Sequence, residues 1–332
     1  MILTGLRTIV LSSLRGAGYL ILVLLLSATL RAEWKHVDLN TFSWLRSVFF
    51  LNDQVGWIVG SNGTFLRTND GGTSWNASKD ITSDNILDTV FLDTQNGWLL
   101  CERDRYEVGL RPATYLLKTA DGGKTWTKVL LGNGEGRATR LLFSQTGLGI
   151  ALGEVGVVFK MEDDAKAWQP FQLPIKNVLI GGMFFERSSV IVASTSGHLY
   201  RNLVGSNYWA RSGFLDDSRK PKFTSISFVN NDLAWIAGSE GIIYLSKDGG
   251  KSWELQNSAV RTDLTDICFH NSNEGISVGT GGTILYTANG GTTWQVESVG
   301  RTMRFERVFL TKRRAYVVGF GGALFVRLLK DS

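Results

Sequence analysis

The chain has 332 residues, 43% hydrophobic and 20% charged, with 38 Gly, 4 Pro and 11 Trp. That apolar fraction excludes a disordered chain, and glycine above the usual ~7% implies many tight turns. The net charge is +5, but without the three arginines of residues 1–32, which contain no acid, it is +2; this is too neutral for a wholesale nucleic-acid binder, so an electrostatic function needs a local patch.

Arg7 and Arg15 precede the apolar run from Gly18 to Leu30. The run matches the roughly 7–15-residue core of a secretory signal and is shorter than the ~20 residues of a spanning helix. Residues 1–32 are therefore read as a signal peptide, with Ala32 as the cleavage position and Ala28 as a second, or as an uncleaved signal anchor. No twin arginine is present and no cysteine follows the run, which argues against a lipid-modified N terminus. Residues 33–332 contain no stretch able to span a membrane and are expected to be soluble after export.

From residue 68 onward one segment recurs. Thr68-Asn-Asp70-Gly-Gly-Thr-Ser-Trp75 returns as Thr119-Ala-Asp121-Gly-Gly-Lys-Thr-Trp126, Ser246-Lys-Asp248-Gly-Gly-Lys-Ser-Trp253 and Thr287-Ala-Asn289-Gly-Gly-Thr-Thr-Trp294. Decayed copies end at Trp168 and Trp209. The tryptophans step by 41–51 residues, which suits a four-stranded propeller blade. A second column gives seven apolar runs, beginning at Gly56, Gly97, Gly149, Ser189, Ala234, Gly275 and Ala315, each flanked by further short apolar segments that read as strands. The seventh repeat ends without its Trp strand, and Trp34 lies 41 residues before Trp75. The prediction is one all-β domain over 33–332: a seven-bladed propeller of four-stranded blades, closed by the N-terminal strand joining the last blade.

The repeated loop has a mechanical reading. Its Asp or Asn accepts bonds from the following backbone N–H groups, the Gly pair permits left-handed geometry, and the Trp packs toward the next blade. One carboxylate per loop is too few for calcium, which takes 6–8 oxygens. Cys101 and Cys268 lie in different repeats and are expected to be buried free thiols. His36, His198 and His270 lie on separate blades without metal-ligand spacing. No metal, cofactor or catalytic residue is expected.

The Ser/Thr-x-Asp-x-Gly-x-Thr-Trp pattern resembles the Asp-box, or bacterial neuraminidase repeat. Together with Gly-Trp-(Ile/Leu)-(Val/Leu)-Gly one strand earlier, it is most similar to the photosystem II assembly and stability factor family of exported seven-bladed propellers. The resemblance covers all of 33–332. It implies a non-enzymatic chaperone in the thylakoid lumen or periplasm that binds a membrane-complex subunit through an arginine-rich face. The chain is expected to be monomeric.

That face is sought where the inner strands begin, beside the central channel. Aligning the blades puts Ser47, Asp88, Arg140, roughly Gly182, Ser225, Asp266 and Arg307 at the strand starts, with Trp44, Asn85, Arg137, Lys222, Asp263 and Arg304 three residues upstream. Arg46 and Arg301 fall nearby, Arg219 and Lys220 precede Lys222, and the insertion at 102–113 adds Arg103, Arg105 and Arg111. Arg46, Arg103, Arg105, Arg137, Arg140, Lys222, Arg301, Arg304 and Arg307 are the predicted partner-binding residues, because guanidinium forks suit carboxylates. The plainer alternative is that they pair with Asp88, Asp263, Asp266 and Glu306 and only hold loops. A rival function is a sialidase-like hydrolase using Asp263, Asp266 and Glu306, but the Phe-Arg-Ile-Pro marker is missing, and Tyr115, Tyr200, Tyr244 and Tyr286 fall in third strands, where burial is expected.

Overall fold

The computed structural model describes residues 33–78, 80–103, 113–134, 136–161, 167–185, 189–202 and 208–329. The leader, Arg105, Arg111 and the middle of both decayed loops lie outside them. The described chain forms seven four-stranded antiparallel sheets. Their inner strands are Leu45–Phe50, Asn85–Phe91, Ala138–Phe143, Leu179–Phe185, Phe223–Phe228, Leu264–Phe269 and Phe305–Leu310, heading blades one to seven. The ring closes as the sequence predicts. Lys35 and His36 pair with Val326 and Phe325 at the outer edge of blade seven. Trp34 is buried beside them and donates its indole N–H to Glu297 on the outer strand of blade six (2.7 Å). Arg327 bonds both oxygens of the same carboxylate and lies 3.9 Å from the centre of the Tyr286 ring.

The core is seven apolar wedges, each shared by neighbouring blades. Phenylalanines at the ends of inner strands interlock the two sequence columns. Trp57 stacks on Phe91 of the following blade (3.8 Å, 3°), and Trp126 of that blade meets the same ring edge-on (87°). Trp235, Phe269 and Trp294 repeat this at blades five and six, and Tyr316, Phe50 and Trp75 at the closure. Such ring pairs contribute about 0.5–1.5 kcal/mol each beyond their buried area. The leading Gly of the second column lies under this ring: a Cβ on Gly56 would sit 2.5 Å from Phe50.

One expectation is corrected here. The Asp-box Trp packs toward the preceding blade, as Trp126 does on Phe65 of blade one. The Trp of the second column is the one that faces forward. The preceding blade also grips the box: Arg314 and Tyr316 donate to the Gly71 carbonyl, Arg67 to that of Gly122 and Trp235 to that of Gly290.

The boxes themselves behave as expected. Asp70 Oδ1 accepts the N–H groups of Thr73 (3.0 Å) and Ser74 (2.9 Å), and Oδ2 accepts Ser74 Oγ. Thr68 Oγ1 donates to the same carboxylate and accepts the Gly72 N–H. Asp121 and Asp248 repeat the pattern, and Asn289 keeps it with its amide donating to Thr293. Bonds from the Ser and Thr residues hold Asp70 and Asp248 down to about 2 and Asp121 lower still. Both cysteines are free, but only Cys101 is buried as expected, Cys268 being half-buried; burial raises the Cys101 thiol far above its ordinary range and pushes Cys268 up to about 12.

Candidate functional site

The Asp-box turns occupy one end of the channel, and the starts of the inner strands lie at the other, here called the mouth. A repeated glycine builds the mouth. In five blades the second-column run ends in a Gly that lies against a backbone carbonyl just ahead of the inner strand, Cys101 and Ser194 standing there in blades two and four: a Cβ on Gly60 would fall 2.4 Å from Trp44 O, and one on Gly319 2.3 Å from Arg304 O. The next residue donates its N–H to that same carbonyl, Ser61 to Trp44 (2.9 Å) and Phe320 to Arg304 (3.0 Å). Glu154 and Arg137, Ser239 and Lys222, and Thr280 and Asp263 repeat the clamp. A rim of Trp44, Arg137, Lys222, Asp263 and Arg304 is thereby fixed on one level.

Inside the rim every inner strand slips register at the same point, between Leu45 and Ser47 in blade one and between Phe305 and Arg307 in blade seven. The skipped residue is unpaired in the ladder, as in a β-bulge. These residues are Arg46, Leu87, Thr139, Ile180, Thr224, Thr265 and Glu306, and all seven line one cavity of about 450 Å³ at the mouth. The sequence alignment placed the strand starts without recognising this ring. The threonines use their hydroxyls to bridge blades, Thr224 Oγ1 donating to Leu264 O (2.7 Å) and Thr265 Oγ1 to Phe305 O (2.8 Å).

The next residue of each strand forms a second ring: Ser47, Asp88, Arg140, Gly181, Ser225, Asp266 and Arg307. Blade four therefore contributes Gly181, not Gly182, since its ladder resumes after the bulge with Gly181 opposite Ala193. Each Asp ties three blades. Asp88 accepts Ser47 Oγ (2.7 Å) and Leu141 N (2.8 Å), and Asp266 accepts Ser225 Oγ (2.6 Å) and Val308 N (3.0 Å). Arg140 of blade three approaches Asp266 of blade six at 3.6 Å. Burial lowers the Arg140 guanidinium to about 10, and the Arg307 charge adds to the shift. Arg307 itself makes no ion pair or side-chain hydrogen bond with any described residue.

Five predicted cations, Arg46, Arg140, Lys222, Arg304 and Arg307, share this cavity with Asp263 and Glu306. Glu306 is shared: Arg304 Nε donates to it at 3.0 Å and Arg46 stands 4.0 Å away. Arg46 lies flat on the Trp44 ring, 3.4 Å from its centre, and its buried Nε has no hydrogen-bond partner among the described residues. Burial lowers its pKa, opposed first by Glu306. The other predicted residues do not join the cavity. Arg137 is held by Glu102 (3.0 Å) and Glu154 (3.4 Å), acids the sequence reading did not pair with it. Arg301 is exposed, and neither it nor Arg103 is among the lining residues. Arg219 is committed to Asp217 and Tyr244. Asp263 accepts the Glu240 N–H, so of the four acids expected to neutralise the arginines, Asp266 and Glu306 do so.

The sequence resemblance implies a seven-bladed Asp-box propeller with an arginine-rich face, and Arg46, Arg140, Arg304 and Arg307 lie together at the mouth of this one. The family described as photosynthesis system II assembly factor YCF48 matches residues 26–169 and 160–263. The chain belongs to this family. Among curated YCF48 relatives, the photosystem II assembly lipoprotein Ycf48 of Synechococcus sp. (strain CC9902) is 25% identical over 273 residues, covering 67% of this chain and 78% of its own. That of Trichormus variabilis is 26% identical over 260 residues, covering 67% and 76%. Among solved structures, one described as YCF48 bound to D1 peptide superposes with a TM-score of 0.71 at 22% identity, covering 90% of this chain and 97% of its own. A virginiamycin B lyase from Staphylococcus aureus reaches 0.73 at 10% identity, so the superposition speaks for the shared propeller and not for chemistry.

Proposed function

We propose that this chain is an exported, non-enzymatic assembly factor that docks an acidic segment of a membrane-complex subunit onto its arginine mouth. In an oxygenic phototroph that complex is photosystem II. The observation that carries the reading is the excess of cations over acids in one cavity, where Arg307 has no ion pair among the described residues. The names of the relatives and the D1 peptide bound by the YCF48 structure support a protein client. Arg46, Arg304, Arg307 and Lys222 contact the client, and Arg140 holds the channel ring while adding positive field. Arg103, Arg137 and Arg301 do not line the cavity and steer the client's approach. Both oxygens of Asp266 are occupied by Ser225 and Val308, and Glu306 is held by Arg304, so neither acid is offered to a substrate.

Several relatives are named lipoproteins, whereas the two cysteines of this chain lie at 101 and 268, within the propeller. The run from Gly18 to Leu30 therefore does the targeting, as a signal peptide or as an anchor, and delivers a monomeric propeller to the periplasm or lumen. The test is capture of partners from detergent-solubilised membranes of the host, using wild type and an Arg304→Ala/Arg307→Ala variant. A membrane-complex subunit retained by wild type and lost by the variant, and released by salt, is expected. Identical partners for both proteins would remove the mouth from the mechanism.

A further inference from the structure

Beside the arginines lies a group of aromatic residues that the fold does not require. Phe42 is 94% exposed and Phe320 60%. Trp44 lies beside Phe320, their ring centres 5.9 Å apart and nearly perpendicular. The loops that carry the two phenylalanines are locked together: Gly322 N donates to Ser43 O (2.7 Å), and a Cβ on Gly322 would overlap Thr41 O. Thr41 and Ser43 are further tied by their hydroxyls. Both rings are thus presented on braced turns, as an apolar surface facing water.

The repeats supply an internal control. At the position of Phe42 the other six blades carry Ser83, Glu135, Lys176, Lys220, Arg261 and Thr302. At that of Phe320 they carry Ser61, Glu102, Glu154, Thr195, Ser239 and Thr280. Only the junction of blades seven and one is aromatic at both. That junction also holds Arg46, Arg304 and Arg307, and it is Trp44, the third aromatic, that supports the Arg46 guanidinium.

We propose that Phe42, Trp44 and Phe320 form a ledge that takes an apolar side chain of the acidic client segment, next to the carboxylates held by Arg46, Arg304 and Arg307. This rests on the arginine reading and deepens it: the client motif is acidic with a neighbouring Leu or Phe, not merely acidic. The occupant follows from charge. A cation-rich mouth continuous with the ledge fits a segment carrying both carboxylates and an apolar group, and repels a second copy of the same mouth. Burying one large apolar side chain is expected to raise affinity about tenfold.

The test measures binding of two fluorescein-labelled octapeptides to the purified full chain by anisotropy: one of Glu and Gly only, the other with one interior Gly replaced by Leu. Wild type is expected to prefer the Leu peptide about tenfold. A Phe42→Ser/Phe320→Ser variant, carrying residue types found in other blades, should lose that preference while keeping its affinity for the Glu/Gly peptide and its salt dependence. Arg304→Ala should weaken both peptides and flatten the salt dependence. Equal affinity of wild type for the two peptides overturns the ledge, as does a serine variant that keeps the preference. If Arg304→Ala changes nothing while the Leu preference persists, the arginine reading fails and the ledge stands as an apolar site. Binding of the ledge to anionic phospholipid vesicles, or dimerisation abolished by the serine variant, without any peptide preference, would assign it to a membrane or to a second copy and overturn the proposal.

Discussion

The two ends of the channel handle polar groups in opposite ways. At the Asp-box end each carboxylate is saturated within its own loop: Asp70 takes bonds from Thr68, Thr73 and Ser74, and the loop carbonyl at Gly71 is taken by the preceding blade. At the mouth, donors outnumber acceptors. Arg46 and Arg304 share Glu306, Arg307 pairs with no described residue, and Asp266 is occupied by backbone, Ser225 and Arg140. The boxes recur because they solve the same local problem in several blades, whereas the mouth differs from blade to blade. Repetition marks the structural end, and departure from it marks the end that can discriminate a partner.

The largest effect that would sharpen this contrast lies at Asp266, a mouth acid that, like Asp88, is saturated as a box carboxylate is. Asp266→Ala removes acceptors from Ser225 Oγ and Val308 N and leaves the Arg140 charge uncompensated, so a loss of about 3–5 kcal/mol is expected in urea unfolding. A loss below about 1 kcal/mol would show that the channel ring is not structural. A smaller effect is expected at Glu306, which competes with the client for Arg46 and Arg304. Glu306→Gln should raise affinity for an acidic peptide several-fold while changing stability by no more than about 1 kcal/mol. Weaker binding would mean that Glu306 positions the arginines instead of masking them.

The smallest effect belongs to the boxes. Their carboxyls are depressed in the folded state, so their contribution is complete above the ordinary Asp value near ~3.9 and is lost as pH falls toward about 2. Asp217, held to about 2 by Arg219, adds the same sign from the mouth side. Asp70→Asn, which copies the Asn289 box, should therefore reduce the fall in Tm between pH 5 and 2.5 relative to wild type. An unchanged slope would show that the Asp70 bonds do not couple protonation to folding.

Much of this was legible in the sequence. The spacing of Trp75, Trp126, Trp253 and Trp294 fixes the blade length, and Trp34 identifies the closing strand. Spacing carries no direction, however, so it could not tell that Trp126 faces the preceding blade while Trp57 faces the next. The bulges escaped because each breaks the alternation only once in a short strand: Leu45 and Val48 are both buried with two residues between them, and Val48 and Phe50 then alternate regularly. Arg137 was placed correctly on the rim, but its partners Glu102 and Glu154 come from different hairpins, and linear order does not show their meeting. The signal that could have found the ring at the mouth is the column Arg46, Leu87, Thr139, Ile180, Thr224, Thr265 and Glu306, whose three threonines align one residue before the strand-start positions.

The seam between residues 34–37 and 324–327 has a temporal meaning. The first strand of the propeller to be synthesised waits for a partner some three hundred residues behind it, and the neighbouring Trp34 indole waits for Glu297. Such remote pairing is slow to form, and until it forms blade seven presents an unpaired edge. A chain cut short before Leu324–Leu328 lacks the partner strand and leaves Lys35 and His36 without their ladder.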